Sequence, residues 1–132
     1  MAVNVGEIIE ILTKAGLPPT ESVTIPARAA QFSPVPTCLT PALSDAIRQH
    51  LPNGLYSHQA MAIEALVGGS DVCISTQTAS GKSLVFMAAA AEVVLTRPQN
   101  RVLALYPAKA LIQDQLEKWR NFLAPFGAAV GF

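Results

Sequence analysis

Residues 71–96 place three kinds of sequence in immediate succession. Asp71 to Ser75 holds a short apolar run, Val72-Cys73-Ile74. Thr76-Gln77-Thr78-Ala79-Ser80-Gly81-Lys82-Ser83 is small and polar, and Lys82 to Thr96 is alanine-rich and apolar on most faces. The pattern predicts a buried strand, a tight loop and a helix, in that order. Strand, small-residue loop closing on Gly-Lys-Ser, then helix is the context a phosphate-binding loop requires. Small side chains let the backbone curl until several N–H groups face one anion. The helix that follows adds the positive end of its dipole. Lys82 is the candidate for the outer phosphates and Ser83 the candidate ligand of a bridging Mg²⁺. Thr76 stands where the motif commonly starts with glycine or alanine. The bland alternative is a strand-to-helix turn with a surface lysine.

The flanking sequence extends the alternation. Arg101 to Tyr106 is a second apolar run, Ala108 to Phe122 reads as an amphipathic helix, and Ala128 to Phe132 begins a third strand. Strand, helix, strand, helix, strand predicts a parallel α/β sheet. Upstream of residue 54 the character differs. Pro18, Pro19, Pro26, Pro34, Pro36, Pro41 and Pro52 fall there, out of 10 prolines in the chain. Val5 to Ala15 is the one early helix, with Val5, Ile8, Ile9 and Leu12 on one stripe and Gly16 as its stop. Leu17 to Thr40 reads as extended chain, because proline interrupts both helix and central strand. Thr40 with Pro41 offers an N-cap and first-turn proline for a helix to about His50. Ser57 offers the cap of a helix from His58 to Val67. The chain therefore divides into an approach segment, 1–54, and a nucleotide-binding part, 55–132.

Composition bounds the partners. Hydrophobic residues make up 51% and charged residues 14% of 132 residues, which suits a packed core and excludes disorder. So few charges also leave apolar surface for something else to cover. The nine basic and nine acidic residues cancel. A grip on nucleic acid must then be local, since a general basic excess is missing. Cys38 and Cys73 lack metal-ligand spacing, and Cys73 within its apolar run reads as a buried, reduced thiol. No secretory leader is evident, and the longest apolar stretch, Leu84 to Leu95, is too short to span a bilayer. The expected location is the cytoplasm, with no membrane partner.

Two further segments gain meaning beside the phosphate loop. In Leu55-Tyr56-Ser57-His58-Gln59, the Gln59 amide both donates and accepts, matching the N6 and N7 edge of adenine. Tyr56 is an aromatic surface for the base or sugar. Tyr106-Pro107-Ala108-Lys109-Ala110-Leu111 follows the second strand at its carboxyl end, where ligands collect in open α/β sheets. Lys109 and nearby backbone N–H groups are candidates for a nucleic-acid phosphate.

Together these segments resemble superfamily 2 helicases of the DEAD/DEAH-box kind. Leu55 to Gln59 is similar to the Q motif, Thr76 to Ser83 to motif I, and Tyr106 to Leu111 with Gln113-Asp114-Gln115 to motif Ia. Ile25-Pro26-Ala27-Arg28-Ala29-Ala30, Pro34-Val35-Pro36 and Leu43 resemble the approach segment of one branch. That branch holds large bacterial helicases with a cysteine-containing C-terminal domain, including those of mitomycin-damage repair. The resemblance implies a RecA-like three-layer sandwich with a parallel sheet, present here only in part. It implies ATP and Mg²⁺ at Tyr56, Gln59 and Thr76, Gln77, Thr78, Ala79, Ser80, Gly81, Lys82 and Ser83. Lys82 and Ser83 are the residues it makes catalytic, and Pro107, Ala108 and Lys109 would touch nucleic acid, DNA rather than RNA. Ala108 replaces a common threonine, which removes one hydroxyl contact. Arg28 is better read as a surface or salt-bridging arginine.

Hydrolysis needs a second Mg²⁺-orienting carboxylate and a transition-state arginine. In the family these come from a later Asp-Glu-x-x strand and a second RecA-like domain. After Ser83 the acids are Glu92, Asp114 and Glu117, all expected on helix surfaces. Nucleotide binding without turnover is therefore expected from these residues alone. The strands that separate the two apolar runs in the family sheet would come later in a longer chain or from a partner. Two other readings stay open: a different P-loop phosphotransferase or ATPase, and a non-catalytic nucleotide-binding module.

Overall fold

A computed structural model describes residues 4–21, 23, 29–77 and 80–131. Arg28 and the stretch Ile25 to Ala27 of the approach segment lie outside the described residues, as do Thr78 and Ala79 of the loop. The elements are α1 (Val5–Lys14), β1 (Phe32–Ser33), α2 (Pro41–His50), β2 (Leu55–Tyr56), α3 (Ser57–Val67), α4 (Lys82–Thr96) and α5 (Lys109–Leu123), closed by a 3-10 turn at Ala124–Phe126.

All five helices coincide with the patterns in the sequence. Helix α1 starts where Asn4 Oδ1 accepts the Gly6 N–H at 3.0 Å. It carries a Glu10–Lys14 pair one turn apart but buries none of its residues. Helix α2 has its expected start at Thr40 and Pro41, but the threonine hydroxyl does not cap it. The Thr40 N–H donates instead to Glu92 Oε2, 52 residues away on α4, at 2.8 Å. Glu92 is 5% exposed, so its expected place on a helix surface is corrected. Its carboxylate serves as a buried cap for another helix, at the end where the dipole favours negative charge. The cap of α3 is also different. Ser57 is its first residue, Tyr56 is the N-cap, and the Ser57 hydroxyl bonds that of Ser33 at 3.2 Å.

The core forms where α2, α3 and α4 meet. Leu43, Leu55, Ile63 and Val85 are fully buried, with Ala88 and Ala91 between them. Alanines on α4 let α3 approach closely, and each large aliphatic residue so buried contributes about 1.5–3 kcal/mol. Trp119 and Leu123 bring α5 onto the same cluster.

The strands depart from expectation. Among the described residues, the sheet is a two-stranded antiparallel ladder, pairing Phe32 with Tyr56 and Ser33 with Leu55. The expected strands at 71–75, 101–106 and 128–132 form no ladder across their described residues. A strand is completed by a neighbour's N–H and C=O groups, and no described segment pairs with these three in a ladder. Residues 72–75 still alternate. Val72 and Ile74 are half-buried against the core, whereas Cys73 and Ser75 face outward. Cys73 is thus exposed, not buried as its apolar neighbours suggested. At Leu103 and Leu105 the exposure reaches 81% and 83%. No described helix is long and apolar enough to cross a membrane.

Candidate nucleotide site

The loop before α4 is built around Gly81, the N-cap of that helix, at φ 74°. This left-handed backbone is open to glycine and strained for any other residue. Directly after this turn come the first amides of α4. Those amides have no partner within the helix.

Lys82 is the first residue of α4, and its side chain folds back over the loop. Its Nζ donates to the carbonyl oxygens of Thr76 at 2.8 Å and Gln77 at 2.7 Å. The Thr76 and Ser80 hydroxyl oxygens lie at 3.4 and 3.5 Å from it. Those two hydroxyls also bond each other, at 2.6 Å. The ammonium is therefore tied back to the loop's own carbonyls. Ser83 follows at the second position of α4 with an exposed side chain.

The first turn of α3 lies against this loop. Gln59 is 3% exposed and uses both ends of its amide. Its Oε1 accepts the Tyr56 N–H at 2.9 Å, and its Nε2 donates to the Gly81 carbonyl at 3.0 Å. His58 Nε2 lies 3.1 Å from the carbonyl oxygen of Ser80. Beside them three rings stack. Phe32 and Tyr56 are 5.2 Å apart at 20°, and Tyr56 and His58 are 5.7 Å apart at 10°. The β1–β2 ladder brings Phe32 there from the proline-rich segment.

Of the residues singled out in the sequence, Tyr56, Gln59, Thr76, Gln77, Ser80, Gly81 and Lys82 are thus connected by direct contacts. Pro107, Ala108 and Lys109 stand apart from them at the start of α5, where Ala108 is the N-cap and all three are exposed. No hydrogen bond among the described residues joins them to the loop. Behind them Tyr106 OH accepts the Trp119 Nε1–H at 2.7 Å, tying the segment to α5. A cavity of about 750 Å³ lies elsewhere among the described residues. It runs between the end of α4, residues 100–106, α5 and residues 126–131, and contains none of the singled-out residues.

His58, Phe32 and Glu92 were missed as functional or linking positions. The neighbourhood of Gln59 was a signal for His58. Nothing local distinguished Phe32, because its role depends on pairing with a strand more than twenty residues away.

The oxygen-rich loop fits ATP with Mg²⁺. A Cβ at Gly81 would fill the space where its backbone meets Gln59. A serine hydroxyl such as that of Ser83 is an oxygen donor of the kind Mg²⁺ takes, and one protein oxygen would suffice for an ion that keeps waters and phosphate oxygens as its other ligands.

The sequence and fold are similar to those of known proteins. The model of the DEAD/DEAH box helicase family matches residues 56–132. The ATP-dependent helicase HRQ1 of Saccharomyces cerevisiae is 37% identical over 101 residues, covering 76% of this chain and 9% of the yeast protein. The uncharacterized ATP-dependent helicase YprA of Bacillus subtilis is 30% identical over 103 residues, covering 78% of this chain and 14% of that protein. The chain thus spans about a tenth of the length of these curated relatives. The crystal structure of the DUF1998 helicase MrfA bound to DNA superposes with a TM-score of 0.77 at 27% identity, over 98% of this chain and 18% of that one. Its complex with DNA and AMPPNP gives 0.76. The fold is the RecA-like fold of a helicase domain, with mixed helix and strand. A match across residues 56–132, well over half of the sequence, makes this chain a member of the DEAD/DEAH box helicases.

Proposed function

We propose that this chain is the ATP-binding front of an ATP-dependent helicase acting on nucleic acid, DNA in preference to RNA. The observation that carries the reading is Lys82. Its ammonium is tied by the Thr76 and Gln77 carbonyls to a loop capped by left-handed Gly81. There it would meet the outer phosphates, with the amides of α4 below them. Ser83 would hold Mg²⁺, which neutralises charge on the triphosphate when bound. Thr76, Gln77, Thr78, Ala79 and Ser80 would complete the cradle, and Tyr56 would meet the adenosine end; Gln59, buried and with both ends of its amide bonded to Tyr56 and Gly81, would reach adenine only by exchanging one of those bonds. Pro107 to Lys109 would contact the nucleic-acid backbone. The solved relative's complexes with DNA and AMPPNP support both partners.

The proposal includes the finer architecture. Residues 1–54 form the approach segment and 55–132 part of a three-layer sandwich, whose parallel sheet would be completed by further strands. A cytoplasmic setting belongs to the same reading.

Turnover is not expected from these residues alone. Glu92 is committed to the Thr40 N–H and Asp114 to Lys118, so neither is free to orient water at Ser83. This favours nucleotide binding without hydrolysis, as in a non-catalytic module, until a carboxylate and an arginine are supplied. The test is Lys82→Ala, which is expected to lose binding of a fluorescent ATP analogue. Parent-like binding by that variant would remove the site assignment.

A further inference from the structure

We infer that His58 is a positioning residue for the phosphate loop: it orients the Gly81 amide toward the triphosphate by holding the carbonyl of the same peptide unit. This rests on the ATP-binding reading above and adds a role that reading does not contain.

The argument begins with the peptide bond. In a trans peptide the C=O and the N–H point in opposite directions, and no cis bond occurs among the described residues. The Ser80 carbonyl and the Gly81 N–H belong to one such plane. The Gly81 carbonyl and the Lys82 N–H belong to the next. His58 Nε2 is 3.1 Å from the first carbonyl oxygen, and Gln59 Nε2 is 3.0 Å from the second. Two consecutive side chains of α3 therefore hold two consecutive carbonyls of the loop. Each bond fixes its peptide plane, and the amide of that plane then points away from the side chain that holds the carbonyl.

The chemistry fixes the state of the imidazole. A carbonyl oxygen only accepts, so His58 must carry its proton on Nε2. The ring is further held by stacking on Tyr56 at 5.7 Å and 10°. Ring and donor are thus separate contributions, and they can be separated by substitution. His58→Phe keeps an aromatic face for Tyr56 and removes the donor. His58→Gln removes the ring and keeps a nitrogen donor at comparable reach.

Inorganic tripolyphosphate, which lacks a base, reports on the cradle alone. The experiment measures its affinity and that of ATP by titration calorimetry for the whole chain and each variant, beside the thermal midpoint. His58→Phe is expected to lose about three- to tenfold for both ligands, the size of one net hydrogen bond. His58→Gln is expected to stay within about twofold of the parent for tripolyphosphate. Tyr56→Ala is expected to weaken ATP more than tripolyphosphate. Parent-like tripolyphosphate affinity in His58→Phe would overturn the inference. So would equal losses in the Gln and Phe variants at unchanged thermal midpoint, since that would make the ring and not the donor responsible. If His58→Phe does not fold, the ¹⁵N amide resonance of Gly81 in His58→Gln decides. A parent-like shift on adding tripolyphosphate supports the role, and no shift refutes it. Failure of the parent itself to bind either ligand would instead sink the ATP reading, which is a different outcome.

Discussion

Gln59 Nε2 and the Gly81 carbonyl are 3.0 Å apart, and a Cβ added to Gly81 would collide with that same nitrogen. Glycine is thus favoured by its φ of 74°, and any Cβ there would also push the glutamine amide aside. Gly81→Ala is expected to cost about 1–3 kcal/mol in backbone strain and to displace the Gln59 amide. Nucleotide affinity should fall further than stability alone accounts for. Equilibrium denaturation and analogue binding on the same variant separate the two effects, and parent-like values in both would contradict this geometry.

Glu92 joins α4 to the start of α2 through the Thr40 N–H. Glu92→Ala leaves that amide without its acceptor, at an expected cost of about 1–3 kcal/mol. Glu92→Gln keeps an oxygen acceptor and should cost less. Urea denaturation checks the order, which would be reversed if the carboxylate were merely an unfavourable buried charge.

Lys109 opens α5 with an exposed side chain. If it contacts a phosphate, Lys109→Ala should weaken binding of all DNA sequences by about the same factor. It should also flatten the dependence of log affinity on log salt by about 0.7 for single strands or about 0.9 for duplex. Fluorescence anisotropy at several salt concentrations measures the slope, and an unchanged slope would exclude the contact.

The Cys38 thiol is pushed above its ordinary value, first by partial desolvation, with the Glu64 and Glu92 carboxylates acting in the same direction. The thiolate is the reactive form. Alkylation of Cys38 by iodoacetamide at pH 8 should therefore be slower in the folded chain than in urea. Its rate–pH curve should be displaced to higher pH. Peptide mass spectrometry distinguishes it from Cys73, and equal rates in both states would remove the effect.

Helices were legible because their signals are local. Pro41, the stripe of α1 and the Gly81-Lys82-Ser83 turn each act within a few residues. The loop's link to Gln59 was legible as a pairing of motifs, although its atoms were not. What escaped were relations across long separations. Phe32 reaches the site only through a two-residue ladder, Glu92 caps a helix 52 residues upstream, and Cys73 is exposed because no described neighbour covers its side. Apolar runs such as Val102 to Leu105 mark where a strand would pair but cannot supply its partner.

Trp119 is the sole tryptophan of the chain, and its indole N–H bonds Tyr106 immediately before Pro107. The molecule therefore contains a natural optical probe beside the turn at Pro107 to Lys109. Emission excited at the red edge of indole absorption should register any shift of that turn without a dye. Events there can be followed separately from those at the phosphate loop, which contains no tryptophan.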